Sequence, residues 1–150
     1  MSETKPEQRS TVERVAVKEV TEPDAAEELA RVRRADAIGE AALARKAQDL
    51  VALDVRQLTS YADTLVLATG SSNRQTRAIA DSVMEAATGW GEKPLGLEGY
   101  DDGRWVLIDF GDVIVHVFQQ ELRAFYDLER LWSDAPTLEL EAAAAETASR

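Results

Sequence analysis

A mixed β-sheet of about five strands flanked by helices, an α/β fold, is what this sequence predicts, and three observations carry it. Short apolar runs rich in β-branched residues recur at 50–55 (LVALDV), 64–69 (TLVLAT), 104–109 (RWVLID) and 113–118 (VIVHVF), each of strand length. Segments with apolar residues at helical spacing stand before, between and after them. Their order, close to ααββαβββα, argues one sheet layered with helices rather than two segregated halves.

Residues 24–49 are rich in Ala, Glu, Arg and Leu without Pro, and Leu29, Val32, Ile38, Ala42 and Leu43 recur at near-helical spacing. One or two helices follow from that, with Gly39 weakening the middle. After the two apolar strands, Gly70-Ser71-Ser72 opens a helix. Ser72 is placed to cap it, with Gln75 three residues on reaching back in a capping box. Ile79, Val83, Met84 and Ala87 give that helix its apolar face, and Gly89 ends it as the left-handed terminal residue. Residues 93–98, between Gly91 and Gly99, read as a short third strand.

An even-length loop around Phe110-Gly111-Asp112 makes 104–109 and 113–118 an antiparallel hairpin whose faces follow by parity. Val106, Ile108, Val113, Val115 and Val117 share one face, an aliphatic layer fit for packing under helices. Trp105, Leu107, Asp109, Ile114, His116 and Phe118 share the other, which mixes aromatics with a carboxylate and an imidazole. That second face reads either as a core layer with one satisfied polar pair or as a contact surface. Leu122, Phe125, Leu128 and Leu131 propose a closing helix, with Trp132 stapling it to the sheet and Arg123 and Arg130 pairing with nearby acids.

The flanks look different. Residues 1–22 hold no aromatic, Leu or Ile, and residues 133–150 end in AAAAETASR. The expected organisation is a disordered tail over 1–22, a folded domain over 23–132 and a disordered tail over 133–150. The net charge of −11 divides as −1, −7 and −3 among these segments, so the acidity belongs to the domain itself. An acidic domain is a poor direct nucleic-acid binder, since affinity there comes largely from cations on phosphates, so no direct sequence-specific nucleic-acid partner is expected. It suits a basic protein, or serves solubility alone. The absence of Cys excludes disulfides, zinc-thiolate sites and thiol catalysis. No apolar leader follows a basic start and no run approaches 18 apolar residues, so a cytoplasmic protein without membrane contact is expected.

Residues 98–132 concentrate two of three Trp, two of three Tyr, every Phe and the only His, at a net charge of −5, without Ser, Thr or Cys. Lacking a nucleophile other than phenol, this stretch reads as a surface for gripping a basic partner. His116 has Asp109 or Asp112 to orient it but nothing to activate, so it is a structural or interface histidine. Trp105 and Tyr126 read equally as core aromatics. Gly70-Ser71-Ser72 lacks the lysine and spacing of a phosphate-binding loop and reads as a cap and turn. Asp109-Phe110-Gly111 matches a kinase metal motif by chance, since no companion motif is present. A nucleotidyltransferase needs two clustered carboxylates after Gly-Ser; Asp81 is present, but Val83 stands where the second belongs. No catalytic residue, metal or cofactor is expected.

Taken together, DLVALDV (49–55), YADTLVLATGSSNRQTRAIAD (61–81), Glu98-Gly99, WVLIDFGDVIVHVF (105–118) and RAFYDLERLW (123–132) resemble the Iojap family of ribosomal silencing factors. The resemblance runs from about Ala35 to Trp132; the two tails lie outside it. It implies a nucleotidyltransferase-like fold without catalytic machinery, consistent with Val83. It further implies binding to the large ribosomal subunit through its basic protein number fourteen, at the face that meets the small subunit. Subunit joining is then blocked sterically and translation silenced when nutrients run short. Several members form homodimers, so a homodimer is a further expectation. The family pattern carries over at Glu98, Gly99, Trp105, Asp109, Gly111, Asp112, His116, Tyr126, Leu128 and Trp132. Among these, Trp105, Asp109, His116 and Tyr126, then Glu98 and Asp112, are the expected partner-binding residues. The alternatives are a metal-dependent nucleotidyltransferase and a dimeric adaptor that uses the same aromatic face.

Overall fold

The computed structural model describes residues 22–148. Contacts divide the chain after Arg31. Before that division lies the start of helix α1 (Glu22–Leu43), exposed from Ala25 to Ala30, where Arg31 Nη2 reaches Glu28 Oε1 at 2.6 Å. The expected tail over 1–22 otherwise lies outside the described residues.

From Val32 onward α1 continues, followed by β1 (Gln48–Asp54), β2 (Thr64–Gly70), α2 (Asn73–Gly89), β3 (Gly96–Glu98), β4 (Trp105–Asp109), β5 (Val113–Gln119), α3 (Gln120–Tyr126), α4 (Leu128–Leu131), β6 (Thr137–Leu138) and α5 (Glu141–Ala148). The strands form one sheet in the order β3-β4-β5-β2-β1-β6. β2 and β5 run parallel and every other pair is antiparallel, so the sheet is mixed. The expected five strands are present, and β6 is a short sixth.

The hairpin parity holds, with Leu107 opposite His116 and Val106 opposite Val117. Val106, Ile108, Val113, Val115 and Val117 join Ala52, Val66 and Ala68 under Ile38 and Ala42 of α1 and Ile79 and Val83 of α2. β2 is central and covered on both faces, and every one of its residues is buried. Gly39 lets α1 approach closely here: a Cβ on it would sit 2.8 Å from Leu50 Cδ2, so that side chain would have to shift. On the opposite face Leu53, Leu65, Leu67, Ile114 and Phe118 lie beneath Leu122, Leu128, Trp132 and Ala135.

Four expectations need correction. Residues 133–150 do not form a loose tail over their described part. β6 pairs with β1, Leu140 and Ala142 are buried in the main core, and Glu146 accepts from the Asp49 N–H at 2.8 Å. The Ala-rich composition hides this because the core contacts come from scattered side chains, Leu140 and Ala142 buried and Leu138 and Ala143 partly buried. The closing helix is broken in two at Asp127, which adopts a left-handed φ of 49°. Gly89 is the last residue of α2, and Gly91 two residues later takes the positive φ. Finally, Gln75 Oε1 reaches the N–H of Ser71 (2.5 Å), one residue before the expected partner, while the Ser72 hydroxyl caps as expected (3.1 Å).

A candidate protein-docking face

The side of the sheet away from α1 and α2 is covered over β5, β2 and β1 by α3, α4 and the segment after them, and left open over β3 and β4. At the boundary stands Trp105, the first residue of β4, half-buried, with Phe118 opposite it in β5. Its indole N–H donates to Nδ1 of His116 at 3.0 Å. An indole N–H can only donate, so Nδ1 must be the bare nitrogen and the imidazole neutral, with its proton on Nε2. Burial has the same effect: His116 is 8% exposed, and its pKa is lowered to about 4. This is a satisfied core histidine acting as a bracket for Trp105.

Trp105 is held on other sides by Phe118, with ring centroids 5.5 Å apart, and by Tyr126 at 4.9 Å. Tyr126 is half-exposed, and Phe125 meets it edge-on at 4.9 Å. Beneath them Arg123, 7% exposed, fixes α3 to the sheet. Its Nη1 donates to the Asp49 carbonyl (2.6 Å) and the Thr69 hydroxyl (2.9 Å), while Nε and Nη2 form a fork on the Glu129 carboxylate. The guanidinium lies over the Phe118 ring at 5.9 Å. Buried and fully engaged, it makes the platform under the aromatic cluster rigid. The expected pairing of Arg123 with a neighbouring acid is therefore present; Arg130 makes none among the described residues.

The six expected partner-binding residues do not all come together. Trp105, His116 and Tyr126 form one cluster. Glu98 is exposed and lies in register with Leu107 and His116 across the sheet, so its side chain shares the open face. Asp109 shares that face by alternation, but its Oδ1 accepts the Gly111 N–H at 2.7 Å, a bond that shapes the hairpin turn. Asp112 stands apart. Its carboxylate is held by Arg34 of α1 (Nε to Oδ2, 2.9 Å), which also forks onto Glu92 at 2.6 and 2.7 Å. It ties the helix layer to the hairpin turn.

Two exposed residues of this face were not expected there. Phe125 is 78% and Leu131 is 71% exposed, although spacing assigned both to a buried stripe. A signal was present: at 100° per residue, Leu131 lies half a turn away from Leu122 even on an unbroken helix.

The region of the Gly-Ser pair has a different construction. Ser71 gives both its N–H and its hydroxyl to Gln75 Oε1, so the turn is closed upon itself rather than open to an anion. Val83 is fully buried in the core, and Asp81 accepts a hydrogen bond from the Tyr100 hydroxyl at 2.8 Å, which raises that phenol's pKa. Among the described residues no three His, Asp or Glu stand close enough to share a metal ion, and no helix is long and apolar enough to cross a membrane.

The family described as ribosomal silencing factor during starvation matches residues 25–150, extending the likeness at both ends. A ribosomal silencing factor RsfS of Halalkalibacterium halodurans is 47% identical over 97 residues, covering 65% of this chain and 83% of that protein. The chloroplastic Iojap protein of Zea mays is 36% identical over 106 residues, 69% of this chain but 45% of the plant protein. Among solved structures, a Chromobacterium violaceum protein superposes with a TM-score of 0.64 at 38% identity, covering 84% of this chain and 97% of that one. A Bacillus halodurans protein does so at 0.63 and 39% identity, over 76% and 99%. The chain therefore belongs to the ribosomal silencing factor family.

Proposed function

We propose that this protein represses translation by docking on the large ribosomal subunit through its basic protein number fourteen. Bound there, it occludes the surface that the small subunit must reach, under nutrient limitation and in the cytoplasm. Membership of the silencing family supports the ribosome-associated role. The observation that carries the docking mode is the Trp105–His116–Tyr126 cluster. It presents a rigid, half-exposed aromatic anchor on an open sheet face that also bears Glu98. Large aromatics at the centre of an interface and carboxylates at its margin suit a partner rich in Lys and Arg. Asp109 contributes at the edge of this surface, with one oxygen already engaged, and Asp112 acts through the fold. No bond is made or broken in this mechanism. The nucleotidyltransferase alternative has its candidate carboxylate bonded to Tyr100 and its second position filled by buried Val83.

The test is sedimentation of the full chain with separated ribosomal subunits. Co-migration with large but not small subunits, and a lowered yield of joined ribosomes, is the expected result. Migration with neither would end this reading. Trp105→Ala separates docking from a dimeric adaptor: on the adaptor reading it abolishes self-association and leaves subunit binding intact.

A further inference from the structure

Over residues 22–148 Asp and Glu outnumber Lys and Arg by 24 to 12, so any cation has acids to choose from. Arg34, Arg56, Arg104 and Arg123 each hold an ion pair. Among the described residues, four cations without one gather at one end of the sheet: Arg45 and Lys46 in the turn after α1, and Arg74 and Arg77 at the start of α2. Hydrogen bonds fix their neighbourhood. Gln75 Nε2 donates to the carbonyls of Arg45 (3.0 Å) and Lys46 (3.1 Å), bringing that turn against α2 beside Arg74. On the other flank Arg77 Nη1 donates to the Asp101 carbonyl (3.1 Å), close to exposed Arg104. Helical spacing puts Arg74 between these flanks and opposite buried Thr76, Ile79, Ala80 and Val83, so it faces outward. Arg45, Lys46 and Arg74 are exposed and make no side-chain hydrogen bond or ion pair among the described residues.

The helix is charged against its own dipole. α2 has no acid in its first turn; Arg74 and Arg77 sit at its positive end, and Asp81 and Glu85 lie further along. A solvated surface gives no reason for that order, whereas an anionic partner does. The helix N–H groups are not the attraction, since Gln75 and Ser72 close that turn internally. The cations come instead from two separate elements and form an arc, and none of the exposed large apolar side chains among the described residues belongs to it.

We propose that Arg45, Lys46, Arg74 and Arg77 form a second contact, one that takes the phosphate backbone of ribosomal RNA beside the protein partner. Guanidinium forks match phosphate oxygens, and backbone contacts of this kind read no sequence. The inference rests on the ribosome-associated role but not on the aromatic anchor.

The test compares the full-length wild type with the triple variant Arg45→Gln/Lys46→Gln/Arg74→Gln, whose positions are exposed and outside the core. Affinity for purified large subunits is measured across a KCl series, and affinity for isolated protein fourteen separately. The expected result is a triple variant about tenfold weaker on subunits near 0.1 M salt, with a log–log salt slope shallower by about two to three. Its affinity for the isolated protein is unchanged. Equal affinity and slope on subunits would overturn the second contact. Should the wild type bind no large subunit, the docking reading fails on its own, and a labelled RNA hairpin at low salt decides the phosphate contact instead. Binding lost in the triple variant supports it; no binding, or binding equal in both, rejects it.

Discussion

Along β4 and β5, neighbouring residues face opposite ways and meet different fates. Val106, Ile108, Val113, Val115 and Val117 point into an aliphatic layer closed by α1 and α2, each no more than 1% exposed. Trp105, Leu107, Ile114, His116 and Phe118 point to the other side, where α3 and α4 cover only part of the sheet and Trp105 and Leu107 stay half-buried. The strands' backbone pairing is common to both faces. What differs is the chemistry of the side chains: the closed layer needs only shape, whereas the open one combines aromatic area with a hydrogen bond that fixes its orientation. The first face is a closed core layer, and the docking surface we propose lies on the second.

The largest effect that sharpens this contrast is truncation in the closed layer. Ile108→Ala removes a fully buried side chain beneath the helices and is expected to destabilise the fold by about 2–5 kcal/mol in denaturant titration. Docking affinity of the remaining folded fraction should stay close to wild type. A loss of affinity without a loss of stability would erase the distinction between the faces.

Next in size is the pH response of His116, which tests whether the open face rests on a neutral imidazole. Its folded pKa of about 4 lies below the ordinary 6.5. Between those values the unfolded chain binds the proton and the folded one does not, so stability falls as pH drops from about 6.5 to 4. The fall is about 3 kcal/mol, complete near pH 4. His116→Gln retains an acceptor for the Trp105 N–H and has nothing to titrate. The stability difference between wild type and variant should therefore move by that amount, against the wild type, from pH 7 to pH 4. A constant difference would mean that the imidazole is not protected.

Trp105→Ala is the direct blow to the open face. About 2 kcal/mol or more of docking energy, roughly thirtyfold in affinity for large subunits, should vanish. Calorimetry or sedimentation reads it, and an unchanged affinity would move the docking surface elsewhere.

How much of this was legible beforehand follows the same division. Alternation along 104–118 placed every residue of the hairpin on its correct face, because strand parity is local and survives any tertiary context. Pairing of β2 with β5, and the return of residues 137–148 to the sheet, left no local mark: two buried residues in an Ala-rich segment give no periodic pattern. The exposure of Leu131 was marked by its place half a turn from Leu122, but the left-handed turn at Asp127 is a conformation an Asp tolerates and does not announce. Of the site, the aromatic trio was readable as residue types in one window. The Trp105–His116 bond and the platform under it needed α3 folded back over β5. The bond that ties Asp112 to Arg34, 78 residues away in sequence, left no local mark either.

That tie supplies the smallest effect and a clean control. Asp112 is half-exposed and shares Arg34 with Glu92, which remains when Asp112 is altered. Screening by solvent limits the pair, so Asp112→Asn should cost no more than about 0.5 kcal/mol of stability. Its carboxylate faces α1 rather than the aromatic cluster, so subunit affinity should not change. Glu98→Gln, on the open face itself, removes a charge without touching the fold and should slow association with the basic partner at low salt while leaving thermal stability alone. If the two variants exchanged these signatures, with Asp112→Asn weakening docking and Glu98→Gln weakening the fold, the recognition surface would extend around the hairpin turn instead of stopping at the edge of β3.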